Sequence, residues 1–426
     1  MSFNKESLSS WQTELNKVSA VNGETIAQRL VSNSPFLSWL MGDSFEKVTV
    51  KNPWIQEPLK VYKFKNTYSK GREKRWALKD MGVFSDVDET KDYYIQYGDQ
   101  KVAAAQNRST KTAVMKPFEF GFTMQFTQED KDNIEDYNQA ISDWVEDSWE
   151  THLTMLCTRL LKDLENGTAN SDATEGTVTT YTDGLTRRCP VGLRTAISTD
   201  QYAGVTTSDM SQWKGHEFDC DSKMFGVTAA NMDSISDLLT VKSNSKTMRF
   251  AYLLQSIVES LEPKNPADIS IWMHPYTYKY LFLPTVEDVK VQGLSMSFSG
   301  TDTVSATGKW GNKQSSSITP YDRWSEYDVS GAKVYSEWAK YNQAYVFPVD
   351  RIYFINKKNI TFEAKAERNF RVSDWEEVPT HYSLFQKSVE TTARFYVKDR
   401  FAHGVLKLDS LVKAELEAIT GDIISV

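Results

Sequence analysis

Cysteine is scarce in this 426-residue chain: Cys157, Cys189 and Cys220 form an odd set at unrelated spacings. That usage suits a reducing cytoplasm better than a disulfide framework. Nowhere do about 18 apolar residues run together, so no membrane-spanning helix is expected. The opening MSFNKESLSSWQTELNK lacks the apolar stretch of a signal peptide. Histidine occurs five times, at 152, 216, 274, 381 and 403, and never as a pair at metal-ligand spacing. His216, Asp219 and Cys220 come nearest to a metal cluster but lack two further ligands. Asp86, Asp88 and Asp92 resemble half a calcium loop without its glycine and closing glutamate, and a solvated acidic face explains them more simply. Gly308-Lys309-Trp310-Gly311 has neither the spacing nor the preceding strand of a phosphate loop, and no G-x-S-x-G elbow occurs. Internal repeats are absent. No catalytic residue, cofactor or metal is expected. A net basic charge is missing too: the formal charge is −8, which disfavours the phosphate contacts of a nucleic-acid binder.

Aromatics are plentiful at 12%, with 12 Trp, 20 Tyr and 21 Phe, which favours strands and large buried contacts. The dominant feature is an acidic amphipathic pattern from Gln128 to Asn166. Ile134, Tyr137, Ile141, Val145, Trp149, Leu153, Leu156, Leu160 and Leu164 recur at helical steps, predicting one rod of roughly 50 to 58 Å. Thr127 with Asp130, or Asp132 with Glu135, offers a capping-box start, and Gly167 a stop. Cys157 lies beside the stripe as a buried, inert thiol. Immediately upstream, Phe118, Phe120, Phe122, Met124 and Phe126 alternate with Glu119, Gly121, Thr123 and Gln125, the cleanest period-2 strand in the chain.

Charge is segregated along the sequence. Residues 128–166 hold 11 acids against 3 bases, while residues 59–79 hold 8 bases against 1 acid. Residues 1–45 read as an arm with two apolar patches: Trp11, Leu15 and Val18, then Ile26, Leu30, Phe36, Leu37 and Leu40. The turn signals Asn22-Gly23 and Ser34-Pro35 divide it. Residues 59–112 form a long polar excursion with a turn at Gly71, too long for a compact domain unless it projects. Helices are expected at 228–239, at 248–261 (Met248, Ala251, Leu254, Val258, Leu261, ended by Pro263), at 276–282 and at 411–424. Strands are expected at 268–273, 345–347, 352–354, 360–362, 391–398 and 401–408. The Gly- and Ser-rich residues 293–319 read as a surface loop. The class is α+β.

Several strings carry a resemblance. MKPFEFGFTMQFTQED followed by IEDYNQAISDWVEDSWETHLTMLCTRLLKDLENG resembles the strand and spine helix of tailed-bacteriophage major capsid proteins. GLRTAIS with YAGVTTSDMSQWKG, ISIWMHPYTYKYL, and ETTARFYVKDRFAHGVLKL resemble later parts of the same shell fold. The resemblance covers nearly the whole chain through pattern more than through any one diagnostic motif. It implies an N-terminal arm (1–45), an extended loop (59–112), a peripheral domain with a long spine helix (46–58, 113–262 and 356–426) and a central axial domain (263–355). It further implies pentamers and hexamers closing into an icosahedral shell around packaged double-stranded DNA, in a virion assembled in the bacterial cytoplasm. A separate scaffolding protein, no processing of this chain, a portal at one vertex, a possible decoration protein and non-covalent contacts between loops are expected with it. Within that reading the opposed charges predict that Lys60, Lys63, Lys65, Lys70, Arg72, Lys74, Arg75 and Lys79 of one copy lie across Asp143, Glu146, Asp147 and Glu150 of the next. Trp76, Phe84 and Tyr94 would supply the buried contact area. Rival readings are another virion component (portal, tail tube or decoration protein), a cytoplasmic hydrolase, and a cellular nanocompartment shell.

Overall fold

The computed structural model describes residues 12–17, 30, 33–41, 45–50, 59–71, 73–79, 110–136, 141–178, 187–210, 213–220, 253–261, 265–282, 327–378, 385–414 and 416–417. The expected helix at 228–239, the calcium-like aspartates and the loop at 293–319 lie outside them.

The alternating phenylalanine segment is the strand Phe118–Phe126. It buries Phe118, Met124 and Phe126 and exposes Glu119, Gly121, Thr123 and Gln125. It runs antiparallel to Phe385–Val397, from Phe126 opposite Phe385 to Phe118 opposite Ala393. That long strand also carries Ile360–Lys365 and Arg371–Val372, and Thr67–Tyr68 adds to Ile360–Lys365 in parallel. Strand 385–397 begins earlier than expected at 391, because Phe385 and Val389 continue the buried alternation upstream.

The acidic segment forms two helices, Gln128–Asp136 and Ile141–Asn166. Thr127 and Asp130 make the expected capping box: the Thr127 amide donates to Asp130 Oδ2 at 2.8 Å, and the Asp130 amide donates to Thr127 Oγ1 at 3.2 Å. One continuous rod is ruled out by a single contact. Trp144 Nε1 donates to Asp130 Oδ1 at 3.3 Å, whereas fourteen helical steps would separate those residues by about 21 Å. The two helices therefore do not share one axis, and the second, the spine, spans roughly 39 Å rather than the 50 to 58 Å expected. The stripe itself is as the periodicity predicts, with Val145, Trp149, Leu153, Leu156, Leu160 and Leu164 buried, joined by Cys157 and Leu161.

A second six-stranded sheet has the order Tyr327–Val329, Ala332–Ser336, Ile269–Met273, Arg351–Asn356, Gly404–Leu408, His216–Cys220. Its inner strands Ile269–Met273, Arg351–Asn356 and Gly404–Leu408 are buried on both sides, which explains their near-continuous apolar runs. Trp272, Tyr335, Tyr353, Ile355 and Val405 face the core shared with the spine. Ile271, Val334, Ile352, Phe354 and Leu406 face a second core with Leu254, Val258 and Val412 from short helical stretches. This sheet departs from the expected domain boundaries. Strands 216–220 and 404–408, placed in the peripheral part by the sequence reading, belong to it, and the cut at 355/356 falls within one of its strands. Residues 276–282, expected as a short helix, form a turn of helix Pro275–Thr277 followed by a π-turn, Tyr278–Phe282.

The arm is partly docked. Ser34-Pro35 is a helix start and not merely a turn: Pro35 is the first residue of helix Pro35–Met41, whose seven residues are all buried. The Leu37 amide donates to Ser34 Oγ at 3.1 Å, the side-chain cap that a serine supplies in this position. Leu15 and Asn16 are also buried, the latter accepting from the Trp375 amide at 2.8 Å.

Candidate assembly surfaces

The excursion expected at 59–112 resolves into two hairpins. Leu59–Phe64 turns back on Phe45–Val50, so the expected boundary at 59 cuts a ladder in which Glu46 faces Lys63 and Thr49 faces Lys60. Lys74–Lys79 then pairs with Thr110–Met115, Lys79 opposite Thr110. Residues 80–109, including Phe84 and Tyr94, lie outside the described residues, as does Arg72.

Both hairpins are fixed to the body at their bases. Phe64 is buried against Phe362 and Phe370, with ring centroids 5.2 and 5.0 Å away, and its backbone is bracketed by the Asn369 side chain. The Phe64 amide donates to Asn369 Oδ1, and Asn369 Nδ2 donates to the Phe64 carbonyl. Gly71, with φ +87°, makes the expected turn, and buried Arg394 donates to its carbonyl. The Arg394 guanidinium also lies 3.5 Å from the Tyr68 ring centroid and pairs with Glu363 at 3.4 Å. Nothing in the sequence singled out Arg394 except a charge inside an apolar run.

Placing the predicted contact residues on this frame separates them. Lys65, Lys70 and Arg75 are exposed, and Lys63 is half-buried. Arg75 pairs with its own neighbour Glu73 at 2.9 Å, a solvent-facing pair of small net value. Lys74 lies over the Tyr396 ring at 5.4 Å. Trp76 is half-buried between Tyr396 and Trp213, with centroids 5.3 and 6.5 Å away. Much of the area it was expected to offer a neighbour is therefore used within its own chain. The acidic partners fare differently: Asp143, Glu146, Asp147 and Glu150 are all exposed, in the first turns of the spine helix. Further along the spine Met155 is 64% exposed, the most accessible large apolar side chain among the described residues.

Buried ionic nodes hold these surfaces in place. Glu337, wholly buried, accepts from Ser34 Oγ and the Phe36 amide, each at 2.7 Å, and from the Ala339 amide at 2.9 Å. It thereby clamps the start of the arm helix to the central sheet, and burial pushes its carboxyl up to about 7 against these stabilising donors. Glu165, at the end of the spine, accepts from Arg194 Nε and the Tyr353 hydroxyl, each at 2.7 Å, and joins the spine to the central sheet. Burial raises its pKa, and Arg194 opposes the rise. Arg400 is wholly buried and donates to the carbonyls of Thr195, Ala196, Ser198, Asp200 and Trp213, organising the loop that follows the spine. Burial lowers its pKa to about 10. Among the described residues no group of three His, Cys, Asp or Glu side chains is placed to hold a metal; His216 stacks on Phe218, and Cys220 is a buried free thiol.

No family model matches the chain, and no curated protein matches it. Among solved structures the chain is similar to the cyanophage A-1(L) capsid asymmetric unit, at 12% identity over 80% of this chain and 89% of that one, with a TM-score of 0.44. It is similar to the capsid of cyanophage P-SCSP1u, at 11% identity over 81% and 85%, TM-score 0.42. A third likeness is to the capsid of an empty GTA particle, at 11% identity over 88% and 90%, TM-score 0.42.

Proposed function

We propose that this chain is the major capsid protein of a tailed bacteriophage, assembling as pentamers and hexamers into an icosahedral shell around double-stranded DNA. The observation that carries the proposal is the arrangement of the spine. A Phe-rich strand leads through a capping box into a helix that packs one face into the core. The same helix presents four carboxylates and Met155 to solvent, and two base-anchored hairpins carry Lys60, Lys63, Lys74, Arg75 and Lys79 of the basic limb. A chain that keeps opposite charges on separate, outward-facing elements is suited to meeting copies of itself. The strings quoted from the sequence support the same reading independently. A scaffolding protein, a portal and a decoration protein remain expected partners, and the shell wall is read as structural rather than catalytic.

Expression with the phage's scaffolding protein should give closed shells with both five- and six-fold rings in negative-stain micrographs. Rings of a single symmetry would point to a portal or tube instead, and a monodisperse monomer would refute the proposal. Reversing Lys74, Arg75 and Lys79 to Glu should block assembly or change particle size, and unchanged shells would refute the pairing of the basic limb with the spine.

A further inference from the structure

One antiparallel ribbon passes from the central sheet into the first sheet. In the central sheet Arg351–Asn356 pairs with Gly404–Leu408, from Arg351 opposite Lys407 to Phe354 opposite Gly404. In the first sheet the continuations of both segments pair again, Ile360–Lys365 with Phe385–Val397, starting from Ile360 opposite Val397. Between them the pairing lapses over residues 355–359 and 398–403, where each segment makes a short helical turn, Lys357–Asn359 and Arg400–Ala402. The lapse is bridged by the Lys398 amide donating to the Asn359 carbonyl at 2.7 Å and the Asn356 amide donating to His403 Nδ1 at 3.2 Å. A break in pairing between two well-paired regions is where a hinge rotation can be absorbed.

The arm is fastened on both sides of that crossing. Helix Pro35–Met41 packs Phe36 and Trp39 against Trp272 of the central sheet, with ring centroids 5.1 and 5.5 Å away, and Glu337 clamps its start there. Trp39 also carries the ammonium of Lys357, the first residue of the crossing turn, 5.8 Å from its ring centroid. The earlier arm helix, residues 12–17, is held on the first sheet instead. There Val372 faces Val389, the Ser373 amide donates to the Ser388 carbonyl, and Glu376 faces Gln386. Asp374 and Trp375 therefore share the place opposite Lys387, a β-bulge. Gln12 and Asn16, four residues apart on one helix face, take hold of its backbone. Gln12 Nε2 donates to the Trp375 carbonyl at 2.7 Å, and Asn16 Oδ1 accepts from the Trp375 amide at 2.8 Å.

We propose that the arm is a strap across this hinge, fastened to the first sheet at the Trp375 bulge and to the central sheet at Glu337. The two sheets are locked in one relative position only while both fastenings hold. The strap acts within a single copy, so it goes beyond the capsid reading and does not depend on it. Neither fastening is part of a strand ladder, so either can open without unfolding the sheets. A strap released at one end no longer restrains the crossing, whereas two independent patches would each stabilise only their own sheet.

Amide hydrogen exchange of the unassembled full chain tests this at Asn356 and Lys398, whose amides bridge the crossing. The variant carrying Gln12→Ala with Asn16→Ala, and the variant Ser34→Ala, should each speed exchange there about tenfold, the size expected for losing one or two hydrogen bonds. Combining all three substitutions should add little to either, where independent patches would multiply to about a hundredfold. Exchange at the crossing that is unchanged in either variant, or effects that multiply, would overturn the strap and leave the capsid reading standing. If the variants do not fold, the wild-type chain decides. Its Ser38, Asn356 and Lys398 amides should exchange through one shared opening with the same dependence on denaturant, and separate openings would overturn the strap.

Discussion

Glu337 offers the sharpest test of how the arm is held. Glu337→Ala leaves the Ser34 hydroxyl and the Phe36 and Ala339 amides buried with no acceptor. Each orphaned donor costs about 1–3 kcal/mol, so roughly 3–9 kcal/mol is at stake before any relaxation. Glu337→Gln keeps an oxygen in the site and should cost about 1–2 kcal/mol. The two variants differ further in their response to pH. The carboxyl is raised from its ordinary 4.5 to about 7, so the folded state holds a proton that the unfolded state has released. Its stabilising contribution is therefore complete below pH 4.5, falls as pH rises from 4.5 through 7, and is gone above that. The span corresponds to about 3 kcal/mol. Urea melts of unassembled protein at pH 5 and pH 8 should show wild type losing stability relative to Glu337→Gln by that order. Amide exchange over Phe36–Met41 should accelerate in Glu337→Ala. Parallel pH profiles for wild type and Glu337→Gln, or an arm helix still protected in Glu337→Ala, would refute the clamp.

Arg400→Lys should fail to rescue the fold of the 193–213 loop, because an ammonium has three donors for five carbonyls; about 2–5 kcal/mol should be lost in thermal melts. Gly167→Ala should destabilise by several kcal/mol, because an added Cβ would sit on the Pro190 carbonyl, and denaturant midpoints would show it. Unassembled subunits should not retard double-stranded DNA on a gel at physiological salt, since a net charge of −8 opposes phosphate contact.

Gly167 also illustrates what the sequence could and could not convey. It does end the spine where the pattern says, but without a positive φ; among the described glycines only Gly71, Gly204 and Gly331 show one. The position demands a glycine because two backbones pass in contact there, a tertiary fact invisible to local reasoning. The Phe118–Phe126 strand, the spine stripe and the Thr127–Asp130 box were legible because each is a local periodicity or a short-range hydrogen bond. The division of the acidic segment into two helices was not, since the charge and apolar period continue without a break. Ser34-Pro35 carried the signature of a helix start and of a turn alike, and burial of the following seven residues decided between them. A strand was expected over 401–408 within the peripheral segment, but its pairing with 351–356 and 216–220 was not legible, because pairing partners are set by side chains distant in sequence. Among the predicted contact residues, the exposed spine carboxylates follow from helical spacing. The inward use of Trp76 depends on Tyr396 and Trp213, which no spacing rule connects to it. Glu337, Glu165, Arg394 and Arg400 sit in unremarkable strings, and their roles exist only once the chain has folded around them.

The arm clamp also orders events during synthesis. Ser34 leaves the ribosome long before Glu337, its partner 303 residues later, has been translated. At roughly 5–20 residues per second that interval is about 15–60 s. Throughout it the apolar segment Pro35–Met41 has no sheet to lie against, so the nascent chain carries a sticky leading end that must be shielded until the last third of the polypeptide emerges.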